Sequence, residues 1–253
     1  MTNGFEDIDI PFLENEETWA MRVIDEQQQF KVELISYSQP AEYFAENTTE
    51  LVAFCARVSN PANQMNKETS EKLIKYLINN QHWSPLEMVS VCLEIETTRD
   101  IARQMLRHRS FSFQEFSQRY ADPTKDLDFV LREARLQDTK NRQNSVDISG
   151  LTLTEQNLIE QWKWKQQEVI DAARHAYEWA VNNGIAKEQA RAVLPEGNTV
   201  SRLYMNGTLR SWIHFIELRS ANGTQKEHRQ VAVECAKAIA SVFPMADEFI
   251  TKE

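Results

Sequence analysis

The sequence has few cysteines, and they are not arranged in pairs. Cys55, Cys92 and Cys235 are the only three in 253 residues, and none belongs to a CxxC pair. A disulfide framework or a zinc site needs larger or paired sets of cysteines, so neither is indicated and no metal site is expected. A reducing, cytoplasmic location fits this cysteine usage best.

Long apolar runs are also absent. No segment approaches the roughly 20 apolar residues that span a bilayer, so no membrane partner is expected. The first 20 residues, MTNGFEDIDIPFLENEETWA, lack the basic start and apolar centre of a signal peptide. We interpret residues 1–25 as an N-terminal extension.

Positive charge is in deficit, with 38 acidic against 28 basic side chains and a formal net charge of −10. General nucleic-acid binders carry a basic surface, so this composition argues against that class. A bound phosphate would have to be captured locally by clustered arginines. The composition, 42% hydrophobic and 26% charged, is that of an ordinary soluble globular protein.

Hydrophobic periodicity predicts a mixture of helices and strands. Strands are expected at 30–37, 88–97, 127–131 and 199–204, and helices near 51–57, 73–78, 99–107, 152–182, 208–219 and 226–242. The longest helix opens with the capping-box spacing of Thr152 and Glu155. The polar stretch 137–149 is interpreted as an exposed loop with no assigned role. No repeat or Gly/Pro-rich linker divides the chain, so we predict one α+β domain over residues 1–253.

Two tryptophans of the predicted long helix, Trp162 and Trp164, resemble a stacking platform for bases. At helical spacing, packing in the core or at a subunit interface is the expected role of such side chains. His175 of the same helix is expected at the surface or at an interface.

The segment RHRSFSFQEFSQR, residues 107–119, is the most informative part of the chain. It begins with three consecutive cationic or titratable side chains and ends with Ser117, Gln118 and Arg119. Guanidinium groups present planar, bidentate donors that suit phosphate and carboxylate. Three phenylalanines interleave with these groups, so part of the segment must turn inward while its charges still find partners. This combination indicates a doubly anionic external ligand.

RHR followed after seven residues by SxR resembles the signature of flavin-dependent thymidylate synthases. Four further segments resemble elements of that family: ARVS at 56–59, HWSPLE at 82–87, RAVLP at 191–195, and LRSWIHF followed by LR at 209–219. The resemblance implies the thymidylate synthase-complementing protein fold, with a mixed β-sheet flanked by helices. It also implies a homotetramer with sites between subunits.

The activity implied by the resemblance is the reductive methylation of dUMP to dTMP. Methylenetetrahydrofolate would donate the carbon, and FAD reduced by NADPH would carry the hydride. The implied partners are therefore dUMP, folate, NADPH and further copies of the chain. The protein itself would supply binding, orientation and electrostatics.

The resemblance assigns the catalytic role to Arg219, whose cation would stabilise negative charge that develops on the pyrimidine. On sequence alone, a helix C-terminal arginine favoured by the macrodipole explains Arg219 equally well. The family's dUMP contacts correspond to Gln104, Met105, Leu106, Arg107, Glu115, Phe116, Ser117, Gln118, Arg119, Arg191 and Arg219. Gln104 and Arg107 would serve the nucleotide of a neighbouring subunit. Ser117 has no positioned base, so it is expected to bind ligand and not to act as a nucleophile.

The family's flavin contacts correspond to Ser59, His82, Ser84, Arg107, His108, Arg109, Glu115, Thr208, Leu209, Arg210 and His214. Arg210 and His214 lie four residues apart and share one helix face. An isolated His108 or His214 would more often be a structural, hydrogen-bonded histidine. The family often has asparagine at the positions of Thr208 and His214, and residues 220–224 depart from its usual loop. The flavin contacts of these two residues, and the folate and nicotinamide contacts, therefore stay open.

Two other functions remain open from the sequence. A non-catalytic nucleotide-binding protein could use the same arginine pocket without methylating its ligand. The interleaved arginines and phenylalanines also superficially suit an RNA-binding module. The acidic balance of the chain disfavours that second alternative.

Overall fold

The structure is a computed structural model and describes residues 30–41 and 43–251. The N-terminal extension predicted at 1–25 lies outside the described residues. Within them, the chain forms six strands: β1 (Lys31–Tyr37), β2 (Ser90–Thr98), β3 (Ser112–Glu115), β4 (Arg135–Gln137), β5 (Ser145–Asp147) and β6 (Val200–Thr208). The helices among them are α1 (Thr48–Ala56), α2 (Ser70–Asn79), α3 (Arg99–Met105), α4 (Pro123–Asp126), α5 (Leu153–Asn182), α6 (Lys187–Ala190), α7 (Leu209–Ser220) and α8 (Lys226–Ala240). Short 3₁₀ turns occupy Pro61–Asn63, Ser84–Met88, Arg191–Val193 and Pro244–Phe249.

Four strands form the main sheet in the order β1-β2-β6-β3. All three pairings are antiparallel, so the prediction of a mixed sheet is wrong, although the α+β class is confirmed. Whether two strands pair parallel or antiparallel depends on the connection between them, since a parallel pair requires a crossover. The alternation of apolar and polar residues along one strand shows only which of its faces is buried. The sequence pattern therefore could not decide this point.

The central strands alternate between a buried face and a second face that is half-buried in β2 and partly exposed in β6. Val91, Leu93 and Ile95 of β2 are 0% exposed, as are Leu203 and Met205 of β6. Their side chains join those of α3, α7 and α8 in the main hydrophobic core. This burial explains why the strand predicted at 88–97 is confirmed to within two residues.

Two predictions for the middle of the chain need correction. The strand predicted at 127–131 is wrong, because Asp122 caps α4 and only a single bridge, Phe129 to Thr199, follows. The polar stretch 137–149 is not purely a loop, since its ends form the β4–β5 hairpin. The hairpin is tied to α8 by Lys226 Nζ, which lies 2.9 Å from Asp147 Oδ1. Such a long-range contact leaves no periodic signal in the sequence.

The connections from β2 to α3 and from β6 to α7 position the site. Each passes without a loop through an extended threonine, Thr98 or Thr208. Because β2 and β6 are antiparallel, the two helices start at opposite ends of the sheet. Their C-terminal ends meet where His108, just after α3, packs on Phe215 of α7 with ring centroids 5.0 Å apart. Of the helices in the described ranges, none is both long and apolar enough to cross a membrane.

Candidate active site

The junction of α3 and α7 holds a hydrogen bond between two side chains predicted from the sequence. Arg219 in the last turn of α7 donates from Nε to Nε2 of His108 at 2.9 Å. An acceptor Nε2 means that the neutral His108 ring carries its proton on Nδ1. Burial, together with the Arg219 charge, lowers the pKa of His108 to about 4. The ring is therefore neutral near pH 7.

Arg219 itself is half-buried and remains a cation. Burial lowers the pKa of its guanidinium, and the charge of Arg107 lowers it further. Arginine stays protonated in proteins despite such shifts. The site therefore brings together the guanidinium charges of Arg219 and Arg107, with the neutral ring of His108 beside Arg219.

A second contact ties Gln104 of α3 to the start of α8. Its Nε2 donates to Oε1 of Gln225 at 2.9 Å, and its Oε1 lies 3.2 Å from Nδ1 of His228. We call Gln104, Arg107, His108, Arg219, Gln225 and His228 the Arg219 cluster. Its members come from three helices and their flanking residues, which explains why no short sequence motif contains all of them.

Glu115 at the end of β3 belongs to a separate group of charges. Arg99 Nη1 lies 3.6 Å from its Oε1, Arg103 Nη1 lies 3.5 Å from its Oε2, and Ser201 Oγ donates to Oε1 at 3.0 Å. Both carboxylate oxygens thus have protein partners. Glu115 is a fixed negative charge, held in place by residues that the sequence motifs did not identify.

The polar end of the predicted motif follows β3 directly. Gln118 is only 4% exposed, and its Nε2 has no hydrogen-bond partner among the described residues. Arg119 lies 3.2 Å from Glu188 of α6, measured from Nη2 to Oε2. Because buried amides in native proteins are nearly always paired, the Gln118 amide needs an acceptor that the described residues do not supply.

The start of α7 brings together residues predicted for the flavin. Arg210 pairs with Glu87 of the 3₁₀ turn Ser84–Met88, and His214 stacks obliquely on Trp83 with ring centroids 4.4 Å apart. Thr208 accepts from Ser211 N and caps the helix. Ser84 lies in the same turn as Glu87. We call Trp83, Ser84, Glu87, Arg210 and His214 the Arg210 cluster.

Other predicted residues occupy different positions. The side chains of Met105 and Leu209 are buried in the core, so a ligand could reach only their backbone groups. Phe116 packs on the small cluster of Leu127, Val130 and Val200, and Leu106 is half-buried. Ser59 and His82 are exposed after α1 and α2, where no described contact joins them to the clusters above. The structure thus groups most of the predicted residues but not all of them.

Four predicted arginines lack an acidic partner. Among the described residues, no ion pair with a carboxylate is formed by Arg107, Arg109, Arg191 or Arg219, whereas Arg99, Arg103, Arg132 and Arg210 all form one. Arg57, Arg142 and Arg174, outside the predicted site, likewise form no ion pair among the described residues, so the pattern is not exclusive to the site. In a chain with ten more acidic than basic side chains, the four predicted arginines nevertheless keep their charges available to an anionic ligand. Within the described ranges, no cluster of His, Cys, Asp and Glu could hold a metal ion.

Sequence reasoning missed the residues that hold the predicted ones in place. Trp83 and Glu87 lay within the 82–87 motif but received no role. His228 occupies the inward face of the amphipathic helix α8 together with Val231, Ala232 and Cys235. A histidine on an otherwise apolar helix face was the one signal that could have identified it.

Comparison with known proteins identifies the family. Residues 33–245 match the family model described as "Thymidylate synthase complementing protein". The chain belongs to this family, as the motifs predicted. A probable flavin-dependent thymidylate synthase of Paramecium bursaria Chlorella virus 1 is 46% identical over 211 residues, which cover 83% of this chain and 94% of the relative. A flavin-dependent thymidylate synthase of Synechocystis is 48% identical over 194 residues, covering 77% and 85%.

Solved structures show the same fold. A UMP/dUMP methylase, PolB from Streptomyces cacaoi, bound with 5-Br dUMP, superimposes with a TM-score of 0.70 at 26% identity and covers 87% of this chain and 94% of its own. The same protein bound with 5-Br UMP gives a TM-score of 0.69 at 28% identity.

Proposed function

We propose that this protein converts dUMP to dTMP by reductive methylation, with methylenetetrahydrofolate as carbon donor and with FAD reduced by NADPH. The observation that carries the proposal is the Arg219–His108 pair: a half-buried cation held by a neutral partner, with no carboxylate of the described residues paired to it. Family membership and the names of the relatives support the same activity.

Arg219 is the proposed catalytic residue. Carbon 5 of uracil is a poor nucleophile, and it gains reactivity when negative charge develops on the ring nitrogen and oxygens. A cation placed beforehand in a water-poor site stabilises that charge without reorganisation. Neutral His108 accepts the Nε hydrogen and leaves the two terminal nitrogens of the guanidinium for the pyrimidine.

The phosphate of dUMP is assigned to Ser117, Gln118 and Arg119, with Arg191. The unpaired amide of buried Gln118 supports this assignment because a phosphate oxygen is a suitable acceptor. Gln104 and Arg107 belong to the Arg219 cluster, so we assign them to the same nucleotide as Arg219. Met105, Leu106 and Phe116 would contribute backbone and packing contacts.

The residues present fit a flavin dinucleotide. Arg107 and Arg109 offer cations without counter-ions, suited to a pyrophosphate. Trp83 and His214 offer aromatic faces, and Arg210 lies one helical turn before His214. Bound FAD would supply the hydride, while the chain binds and orients it and excludes water. Ser59, His82, Ser84, His108, Glu115, Thr208 and Leu209 complete the proposed set.

Purified protein should be yellow, release FAD on denaturation, and form dTMP only when dUMP, NADPH and methylenetetrahydrofolate are all present. Arg219→Ala should keep its flavin and lose about 10²–10³-fold in turnover, the usual effect of removing one charge-stabilising donor. Arg142→Ala, at the exposed tip of the β4–β5 hairpin, is the matched control and should keep full activity. Full activity of Arg219→Ala would remove that residue from its role.

UMP is a second candidate substrate, because the structural neighbour is a UMP/dUMP methylase that was solved with analogues of both nucleotides. Parallel assays with dUMP and UMP decide between them. Flavin binding with neither nucleotide methylated would favour a non-catalytic nucleotide-binding protein.

A further inference from the structure

His228 is a fully buried histidine to which neither the sequence motifs nor the proposed mechanism gives a role. It lies in the first turn of α8 at 0% exposure, and its ring is 5.8 Å from that of Phe215 between centroids. Burying an imidazole among apolar side chains has a cost unless its nitrogens are paired. One ring nitrogen, Nε2, has no partner among the described residues. Packing alone does not explain a polar ring at this position.

The hydrogen bonds around Gln104 define what the other nitrogen does. Gln104 donates from Nε2 to Gln225 Oε1, so its Oε1 is the atom that faces His228 Nδ1. With the Gln104 amide in this orientation its oxygen can only accept, which assigns the proton of His228 to Nδ1. Burial and the nearby charge of Arg219 lower the pKa of His228 to about 3, which keeps the ring neutral. The carboxamide of Gln104 is thus held at both ends.

The backbone that presents His228 is anchored to the helix that carries Gln104. Arg132 joins them: its Nη2 lies 2.6 Å from Asp100 Oδ1 of α3, and its Nη1 lies 3.3 Å from Glu227 Oε2 of α8. The second Glu227 oxygen pairs with Arg135. The helices α3 and α8 are therefore connected at two points. The first is the pair of salt bridges through Arg132, and the second is the hydrogen bond between Gln104 and His228. This double connection fixes the position of Gln104 relative to the start of α8.

We propose that His228 is a positioning residue for the pyrimidine nucleotide, acting by donation from Nδ1 to Gln104 Oε1. This hydrogen bond holds the Gln104 carboxamide in one orientation within the Arg219 cluster. The inference rests on the proposed function, because Gln104 is the assigned nucleotide contact. Its ligand is the same dUMP.

Two substitutions separate the Nδ1 role from general packing. The amide of His228→Asn occupies the place of Nδ1, whereas the amide of His228→Gln occupies the place of Nε2. Calorimetric titration of dUMP into the FAD-loaded protein should give a Kd within about threefold of the wild-type value for His228→Asn. His228→Gln should weaken binding about tenfold, equivalent to about 1.4 kcal/mol. Both variants should keep their flavin, and equal affinities for the two would overturn the inference.

A double-mutant cycle tests whether His228 acts through Gln104. In a Gln104→Ala background, His228→Gln should cause no further loss of dUMP affinity, and an additive loss would contradict the proposal. Wild-type protein that neither binds nor methylates dUMP would refute the proposed function itself. This result differs from a failure of the His228 inference, which would appear only in the variants. Should the variants fail to fold, side-chain ¹⁵N spectra of the wild-type histidines remain decisive. A proton on Nε2 of His228 would overturn the assignment.

Discussion

Three basic side chains share the interior at the end of α7, but only Arg219 carries charge near pH 7. Burial lowers the pKa of His108 to about 4 and that of His228 to about 3. Unpaired histidines in the unfolded chain titrate near about 6.5. Because His108 and His228 are neutral, they add no repulsion to the Arg219 cation. Protonation of either buried ring at low pH would be unfavourable, so the fold is sensitive to acid.

Stability should therefore fall as the pH drops below about 6.5. Between that value and the folded-state pKa, the unfolded chain binds more protons than the native protein, so the free energy of unfolding decreases with falling pH. For His228 the loss between pH 7.5 and 5 should reach about 2 kcal/mol. Urea unfolding at these two pH values should show a smaller loss for His228→Leu than for wild type. Equal losses in the two proteins would contradict this account.

At the scale of single residues, the sequence motifs contain residues that the structure places side by side, but they do not contain the residues that support them. Arg219 and His108 were found because short patterns contain them, and the structure joins them by a hydrogen bond. His228 and Gln225 were missed because their importance depends on Gln104, more than 120 residues away in the chain. Contacts of that separation follow from the packing of α8 on the sheet, which no local pattern encodes.

The strand β6 has one position where only glycine fits. A Cβ added to Gly207 would lie 2.4 Å from Cδ1 of Phe111 and 2.6 Å from its Cε1. The Phe111 ring cannot move freely, because it packs edge-on against Trp212 with centroids 4.8 Å apart. It also lies next to His108. The close contact between β6 and this ring therefore helps place the Arg219 cluster.

Gly207→Ala should consequently destabilise the protein by about 1–3 kcal/mol, the usual cost of overpacking a core. It should also lower activity by displacing the segment that holds His108. Gly197→Ala is the matched control, since nothing lies within 4 Å of its added Cβ. Denaturant unfolding of both variants checks the difference. A Gly207→Ala protein as stable as the control would show that the ring relaxes without cost.

Elements with strong periodicity or caps were predicted well. The capping box of Thr152 and Glu155 is present at the start of α5, and β1 and β2 lie within two residues of their predicted bounds. The strand β3 was missed because its one phenylalanine, Phe113, was interpreted only as a buried residue, while its pairing partner β6 lies some 90 residues later. The hairpin was missed for the same reason, since its anchors are the ion pairs to α8.

On the scale of the whole molecule, α5 leaves a large apolar surface uncovered. This helix has 30 residues, but only Gln166, Ile170, Ala173, Tyr177 and Ala180 are buried. Trp164 is 69% exposed and Trp179 is 58% exposed. Trp179 also lines an open groove of about 520 Å³ with His175 and Val193. Exposed apolar surfaces of this kind usually mark an interface, and the predicted homotetramer would need one.

The oligomer should therefore dissociate when charge is placed on this surface. Light scattering of wild-type protein should give about four times the chain mass of 29.5 kDa. Trp164→Glu combined with Trp179→Glu should give a smaller species. Gln161→Glu, an exposed position of the same helix, adds charge without removing apolar surface and should keep the assembly. A monomeric wild-type protein would refute the tetramer.

Assembly should matter for catalysis because the proposed nucleotide contacts fall into two groups within one chain. Arg219 lies with Gln104 and His108, whereas Arg119 lies against Glu188 of α6, and no described contact joins the two groups. If one nucleotide needs both, the second group comes from a neighbouring subunit. Arg219→Ala and Arg119→Ala should each be nearly inactive alone.

Oligomers co-assembled from equal amounts of these two variants should then regain activity. Random assembly gives both intact arginines to about one shared site in four, so about a quarter of the wild-type rate is expected. Sites built within single chains would stay inactive, because every chain lacks one arginine. The dTMP formation rate of the co-purified oligomer, set against each variant alone, therefore decides whether the site lies between subunits.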